Sequence, residues 1–222
     1  MAGRSPRRRA PQPELFPASM NEPPMAAPRD GPFTLAPRFP DGLIYAPDFL
    51  TPGEERELLA AIAALPLTES RYRQYTAKRR TVSYGSSYDF ATNVLSPAPP
   101  VAEFLLPLRA RVAAWVGIPA TAFVHALVTE YSPGTQLGWH RDVPSFGTVV
   151  GVSLAGGARM RFRRWPHVTG GKRGDGFVLD LAPRSAYVLQ REIRWRWQHA
   201  ISPTKALRYS ITFRTSASHA PA

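Results

Sequence analysis

Apolar residues recur along this chain in two rhythms. After Thr51-Pro52-Gly53-Glu54 they fall at helical spacing as far as about Leu65, and they do so again from about Val101 to Val116. The first stretch opens with an N-cap threonine, a proline at the first helical position and a glutamate three residues beyond the cap, a reciprocal pairing that satisfies the free N–H groups of a helix start. The second stretch contains Pro107, expected to perturb the helix, and is stopped by Gly117 and Pro119, since proline lacks the N–H and clashes with the preceding turn. Beyond it the period shortens to two. Short β-rich runs at Phe123 to Tyr131, Thr148 to Leu154, Ala158 to Arg164, Gly176 to Leu181, Ala186 to Leu189, Trp195 to Ile201 and Arg208 to Thr215 are separated by Gly, Pro or Asp turns. Such runs without intervening helices predict an antiparallel sandwich or barrel rather than a parallel sheet. The expected fold is α+β and mainly β, a jelly-roll core with N-terminal helices packed against it.

Composition sets the limits of this domain. Residues 1–41 hold ten of the 24 prolines and few large apolar side chains, so they cannot bury enough surface to offset the entropy of ordering and are expected to form a disordered Pro/Arg-rich tail. The domain is expected over residues 42–215, followed by a short tail at 216–222. Of the formal charge of +12, residues 1–40 carry +3 (six Arg, three acids), which leaves +9 to the remainder. A basic domain points to a polyanionic partner such as nucleic acid, although a solvated arginine-rich face gives the same count. The chain has no cysteine, which excludes thiolate metal sites, disulfides and cysteine nucleophiles. Any metal must be held by histidine and carboxylate. With no long apolar run and no secretory signal at its N-terminus, the chain is expected to be cytoplasmic, without a membrane partner, and to act as a monomer.

Three segments carry candidate chemistry. In His140-Arg141-Asp142 an imidazole and a carboxylate stand two residues apart, and in extended backbone they project from one face toward a common ion. In Trp195-Arg196-Trp197-Gln198-His199-Ala200-Ile201, alternation puts His199 on the same apolar face as Trp195, Trp197 and Ile201. A histidine there is commonly a hydrogen-bonded core residue, but two His and one Asp from separate strands form the facial triad that leaves adjacent iron positions open. In Arg208-Tyr209-Ser210-Ile211-Thr212-Phe213-Arg214 the two arginines and two hydroxyls share one face. Their Cα atoms lie roughly 20 Å apart at the rise of a strand, within reach of a small diacid from both ends, and guanidinium binds carboxylate bidentately while staying charged.

His140-x-Asp142, His199 at 57 positions past Asp142, and the Arg208 to Arg214 segment resemble the AlkB family of iron(II)/2-oxoglutarate dioxygenases. The likeness takes in Thr129-Glu130-Tyr131-Ser132-Pro133-Gly134, Pro183-Arg184-Ser185 and Arg79-Arg80-Thr81-Val82-Ser83-Tyr84-Gly85, and covers roughly residues 42 to 215. It implies a double-stranded β-helix of jelly-roll type in which His140, Asp142 and His199 bind Fe(II). It further implies that Arg208 pairs with the distal carboxylate of 2-oxoglutarate, and that Arg214, Tyr131, Thr129 and Ser210 complete the pocket. The implied reaction consumes O2, decarboxylates 2-oxoglutarate to succinate and CO2, and removes an N-methyl group as formaldehyde. Two positions depart from the family pattern: Thr129 stands where many members have Asn, and Val143-Pro144-Ser145 follows the triad where nucleobase-repair members often carry acids.

For the substrate, the segment from Arg79 to Phe90 mixes cations, aromatics and glycine and resembles the family's substrate lid, although an ordinary hairpin with Tyr84, Tyr88 and Phe90 on the core has the same pattern. Arg80, Tyr84, Tyr88, Trp139 and Arg161 are the candidate contacts, with Arg163 beside them. His125 shares a strand face with Thr129 and Tyr131 and is expected to be a core residue, and neither His167 nor His219 is expected to ligate. The function expected is oxidative demethylation of N-methylated nucleobases in DNA or RNA. A protein-directed demethylase or hydroxylase and a non-catalytic nucleic-acid-binding module are the alternatives.

Overall fold

The computed structural model describes residues 39–72, 75–89, 94–166 and 176–217. The proposed N-terminal tail, Phe90, His167 and His219 lie almost wholly outside them, only Phe39 to Asp41 of the tail being described. In chain order the elements are β1 (Leu43–Ala46), α1 (Pro52–Ala63), β2 (Thr68–Tyr72), β3 (Tyr75–Tyr84), β4 (Ser86–Asp89), β5 (Val94–Pro97), α2 (Leu106–Val116) and β6 (Phe123–Tyr131). They continue with β7 (Leu137–His140), β8 (Phe146–Ala155), β9 (Ala158–Arg164), β10 (Gly176–Leu181), β11 (Ala186–Leu189), α3 (Arg191–Trp195), β12 (Trp197–Ile201) and β13 (Arg208–Ser216).

The helix starts follow local chemistry. Thr51 Oγ1 accepts from the Glu54 N–H at 3.2 Å while Glu54 Oε2 accepts from the Thr51 N–H at 2.8 Å, the expected capping box. Pro107 does not perturb a helix interior. A 3-10 turn at Glu103–Leu105 precedes α2, so the proline falls in the first turn of α2, where its missing N–H has no partner to lose. Gly117 closes α2 in the left-handed conformation at φ 72°.

Among the described residues thirteen strands make a seven-stranded sheet ordered β1-β11-β8-β13-β6-β3-β2, a four-stranded sheet ordered β10-β9-β12-β7 and the small β4-β5 ribbon. All pairings are antiparallel. The two larger sheets form the jelly-roll sandwich, and α1 and α2 cover the outer face of the seven-stranded sheet, as expected. Alternation sorts the residues of that sheet. Val150, Val152, Ile211 and Phe213 face the helices with Leu58, Ile62, Leu108 and Val112. Val149 and Leu189 face the other sheet, where they meet Met160, Phe162, Leu181, Trp197 and Ile201. Phe39 joins this second cluster through Phe177, at 5.6 Å between ring centroids.

One expectation at the strand ends needs correction. Trp195 is not on the strand carrying His199: it ends the five-residue helix α3, and β12 begins at Trp197. The apolar face of β12 therefore consists of Trp197, His199 and Ile201, all buried. No helix among the described residues is long and apolar enough to cross a membrane.

Candidate functional site

The space between the two sheets is left open at one end as a cavity of about 960 Å³, at the upper end of the roughly 300–1,000 Å³ usual for small-molecule clefts. Its walls follow from strand parity. From the seven-stranded sheet β13 contributes Arg208, Ser210, Thr212 and Arg214, and β6 contributes His125, Thr129 and Tyr131. From the four-stranded sheet come His140 at the end of β7, Asp142 in the loop after it, and His199 on β12. His140 and His199 are opposite one another in the β7/β12 register, which is how residues far apart in sequence come to share a site.

One ligand atom from each of His140, Asp142 and His199 lies within 4.8 Å of the others. His199 Nε2 is 3.6 Å from Asp142 Oδ2, and the two imidazole centroids are 4.3 Å apart. β7 ends at His140, so Asp142 lies just beyond the strand, and its carboxylate turns to the histidines. His140 Nδ1 lies 2.9 Å from the Gly138 carbonyl; with Nδ1–H donating there, Nε2 is left as the free lone pair. Burial pushes the His199 imidazole down to about 3 and lowers His140 as well, so both rings are neutral at pH 7, the form that ligates metal. Burial alone would raise the Asp142 carboxyl, but nearby cations, Arg214 foremost and Arg194 with it, outweigh it and hold the group well below the carboxylate range. Two neutral imidazoles and one carboxylate on a single side of a cleft suit iron(II) with open positions.

Arg214, expected at the cosubstrate, is engaged with the triad: its Nε donates to Asp142 Oδ1 at 2.7 Å and its Nη1 lies 3.2 Å from His125 Nδ1. His125, held neutral by burial at about 3, is the acceptor. It is a buried core residue, as expected, that also lines the cavity. Arg208 differs from Arg214 in having no carboxylate partner among the described residues. It is 1% exposed, its Nε donates to Ser153 Oγ at 3.0 Å, its guanidinium lies 5.0 Å over the Tyr131 ring, and its Nη1 is buried with no partner. A buried cation with a free donor edge beside the hydroxyls of Ser210, Thr129 and Tyr131 is suited to an incoming carboxylate.

The proposed substrate contacts divide. Tyr88 lines the cavity. Tyr84 does not: it is 8% exposed in the core between the seven-stranded sheet and the helices. Arg80 also points to the helix side, where its Nε and Nη2 donate to Glu130 at 2.8 and 2.7 Å, and its neighbour Arg79 is the one that enters the cavity. Arg161 and Arg163 lie on the outer face of the four-stranded sheet, since Met160 and Phe162 occupy its inner face. Trp139 borders the cavity and receives both guanidiniums, at 5.1 and 4.4 Å.

Two site residues escaped the sequence reading. Tyr187 on β11 crosses into the cavity over Gly151, where a Cβ would overlap its ring, and burial pushes its phenol up to about 12. Arg194, 3% exposed, donates to the carbonyls of Val143, Phe146 and Gly147 and so fixes the loop that presents Asp142. Nothing in the local pattern marks either residue.

Residues 42–214 match the family described as the 2OG-Fe(II) oxygenase superfamily. Among curated proteins, the chain is 31% identical over 180 residues to the "Alkylated DNA repair protein ALKBH8 homolog" of Arabidopsis thaliana, which covers 72% of this chain and 50% of that protein. It is 24% identical over 197 residues to the uncharacterized protein L905 of Acanthamoeba polyphaga mimivirus, covering 78% of this chain and 84% of the viral protein. Against the "tRNA (carboxymethyluridine(34)-5-O)-methyltransferase alkbh8" of Xenopus tropicalis it is 28% identical over 177 residues, 77% of this chain and 27% of that one. The chain thus spans half of the plant relative and about a quarter of the frog one. Its fold matches the solved structure of OsALKBH1 with a TM-score of 0.64 at 16% identity, over 80% of this chain and 98% of the other. The converging triad, the buried arginine facing it and the match across the whole described domain agree: the chain belongs to the 2OG-Fe(II) oxygenase superfamily as an AlkB-like dioxygenase that uses Fe(II), 2-oxoglutarate and O2.

Proposed function

We propose that this dioxygenase removes N-methyl groups from alkylated nucleobases in DNA or RNA, with His140, Asp142 and His199 holding iron and Arg208 anchoring 2-oxoglutarate. The bound iron, with O2 and 2-oxoglutarate, supplies the oxidising power. One oxygen atom enters the methyl group and the other enters succinate; the hydroxylated methyl leaves as formaldehyde with its electrons returned to nitrogen. The protein's part is positional. Gly138 orients His140, and Arg214 keeps Asp142 ionised and turned to the histidines. Arg208 offers its free Nη1 to the distal carboxylate, flanked by the hydroxyls of Ser210, Thr129 and Tyr131. Buried Phe146, against the Arg214 guanidinium that holds Asp142, limits water around the reacting end.

The observation that carries the substrate is the charge of the cavity wall. Among the described lining residues four arginines, Arg79, Arg141, Arg208 and Arg214, face a single acid, Asp142. Arg214 is spent on Asp142 and Arg208 is assigned to 2-oxoglutarate, which leaves Arg79 and Arg141 for an anionic substrate. The names of the plant and frog relatives, one an alkylated DNA repair protein homolog and the other a tRNA methyltransferase, point the same way. The test is formaldehyde release from N-methylated oligonucleotides and from methylated peptides, each with Fe(II) and 2-oxoglutarate. Release from oligonucleotides, abolished by His140→Ala, is the expected result. Release from peptides alone replaces this reading with a protein-directed demethylase.

A further inference from the structure

We infer that the outer face of the four-stranded sheet, with Arg161, Arg163, Trp139 and Arg141, is a docking track for the phosphodiester backbone of single-stranded nucleic acid. The inference rests on the reading above that the substrate is nucleic acid, and says how the strand outside the cavity is held.

Arg161 and Arg163 alternate outward on β9 and lie opposite Ala200 and Gln198 of β12. Their guanidiniums reach across β12 to the Trp139 ring on β7, the edge strand. Trp139 and Arg141 flank His140, so the residue between them enters the metal site while they border the cavity mouth. Arg141 in turn lies 4.9 Å over Trp165, which is 42% exposed.

The partners of these arginines set them apart from the other arginines of β9, Arg159 on the same face and Arg164 on the opposite one. Arg159 is paired with Asp180 at 3.2 Å and Arg164 with Glu192 at 3.1 Å. Arg141, Arg161 and Arg163 have no carboxylate partner among the described residues; Arg163 Nε meets the neutral amide of Gln198 at 2.8 Å. A guanidinium stacked on an indole has its face covered and its in-plane N–H groups still available to an anion. The Cα atoms of the two β9 arginines, two residues apart, are separated by roughly 6.6 Å, comparable with one nucleotide step of an extended strand. A sheet face bearing a row of cations and an aromatic ring suits a single strand.

The experiment titrates the 222-residue chain with fluorescein-labelled (dT)12 and reads anisotropy across a salt series, for the wild type, Arg161→Gln, Arg163→Gln, the double variant, and Arg56→Gln on the exposed face of α1. A single-strand phosphate contact contributes a slope of about 0.7 in log Kd against log salt, so the double variant is expected to lose about 1.4 and to bind about 25-fold more weakly at 0.1 M salt. Each single variant is expected to lose about half of that slope, and Arg56→Gln none. Melting temperature and Mn(II) affinity verify that each variant is folded with its metal site intact, and if the double variant does not fold, the two single variants decide. Wild-type binding with an unchanged slope in the arginine variants overturns the track and leaves the nucleic-acid reading standing. Displacement of (dT)12 by polyglutamate as effective as by unlabelled (dT)12 overturns the track as a specific site. No wild-type binding at low salt contradicts both.

Discussion

Replacing Arg208 by methionine distinguishes a guanidinium that stabilises the fold from one held ready for a ligand. The side chain is 1% exposed, with one hydrogen bond to Ser153, the Tyr131 ring against its face and Nη1 unpartnered. Exchanging buried ionic groups for apolar ones of similar volume is often neutral or stabilising by about 1–4 kcal/mol. Against this, the stranded Ser153 hydroxyl costs about 1–3 kcal/mol. The change expected in the ligand-free protein therefore lies between a loss of about 3 and a gain of about 3 kcal/mol, whereas a loss reaching about 5 kcal/mol is expected had Arg208 been half of a buried ion pair. Urea unfolding with Mn(II) present measures it. Adding 2-oxoglutarate at a hundred times its Kd is expected to stabilise the wild type by about 2.7 kcal/mol and to leave Arg208→Met unchanged. Oxalate, which chelates the metal without a distal carboxylate, is expected to stabilise both. A ligand-free variant that is less stable by more than about 3 kcal/mol yet retains the 2-oxoglutarate response would refute the assignment.

Other expectations follow from the same contacts. Glu130 accepts two hydrogen bonds from Arg80 and one from Tyr209, and the bond from Arg80, the largest influence, holds its carboxyl below the usual value. Its stabilising effect is thus present above the unfolded-state pKa and lost as pH falls through the lower folded-state one; the stability gap between wild type and Glu130→Gln, followed by urea unfolding, should close toward acid, and a gap that persists there contradicts the ionic origin. Gly151→Ala drives a methyl into the Tyr187 ring and is expected to destabilise by about 1–3 kcal/mol. In the Tyr187→Leu background the same substitution should cost close to nothing, so additive effects in this double-mutant cycle would dismiss the contact. Arg194→Met releases the loop behind Asp142 and is expected to weaken Mn(II) binding by about 10–100-fold, as loss of an outer support does; calorimetry showing unaltered affinity in a folded variant would exclude that role.

The sequence disclosed most where one face of a strand is apolar and the other polar. In β13, Ser210, Thr212 and the arginines alternate with Tyr209, Ile211 and Phe213, and the structure keeps that division. The same reasoning misplaced Trp195, because the W-x-W-x-H-x-I alternation continues backward into residues that turn as a short helix. It chose Arg80 over Arg79, yet Arg80 shares its face of β3 with Val82 and Tyr84, which pack on the helix side, where Glu130 accepts from Arg80. Tyr84 packs with the helices for the same reason of parity, opposite Ala126. β7 was missed because Leu137-Gly138-Trp139-His140 is only four residues with a glycine inside. Tyr187 over Gly151 and Arg194 under the Asp142 loop are contacts between segments distant in sequence, and local periodicity carries no trace of them.

The central claim is that one iron is held by three side chains with 2-oxoglutarate chelated beside it and anchored by Arg208. Anaerobic titration with Fe(II) and then 2-oxoglutarate, read by the visible charge-transfer absorbance of a chelated keto acid, addresses it directly. The account requires one iron per chain and an absorbance that is absent from His199→Ala and Asp142→Ala and that demands far more 2-oxoglutarate in Arg208→Met. Full absorbance in either ligand variant, at wild-type concentrations of iron and 2-oxoglutarate, would contradict it.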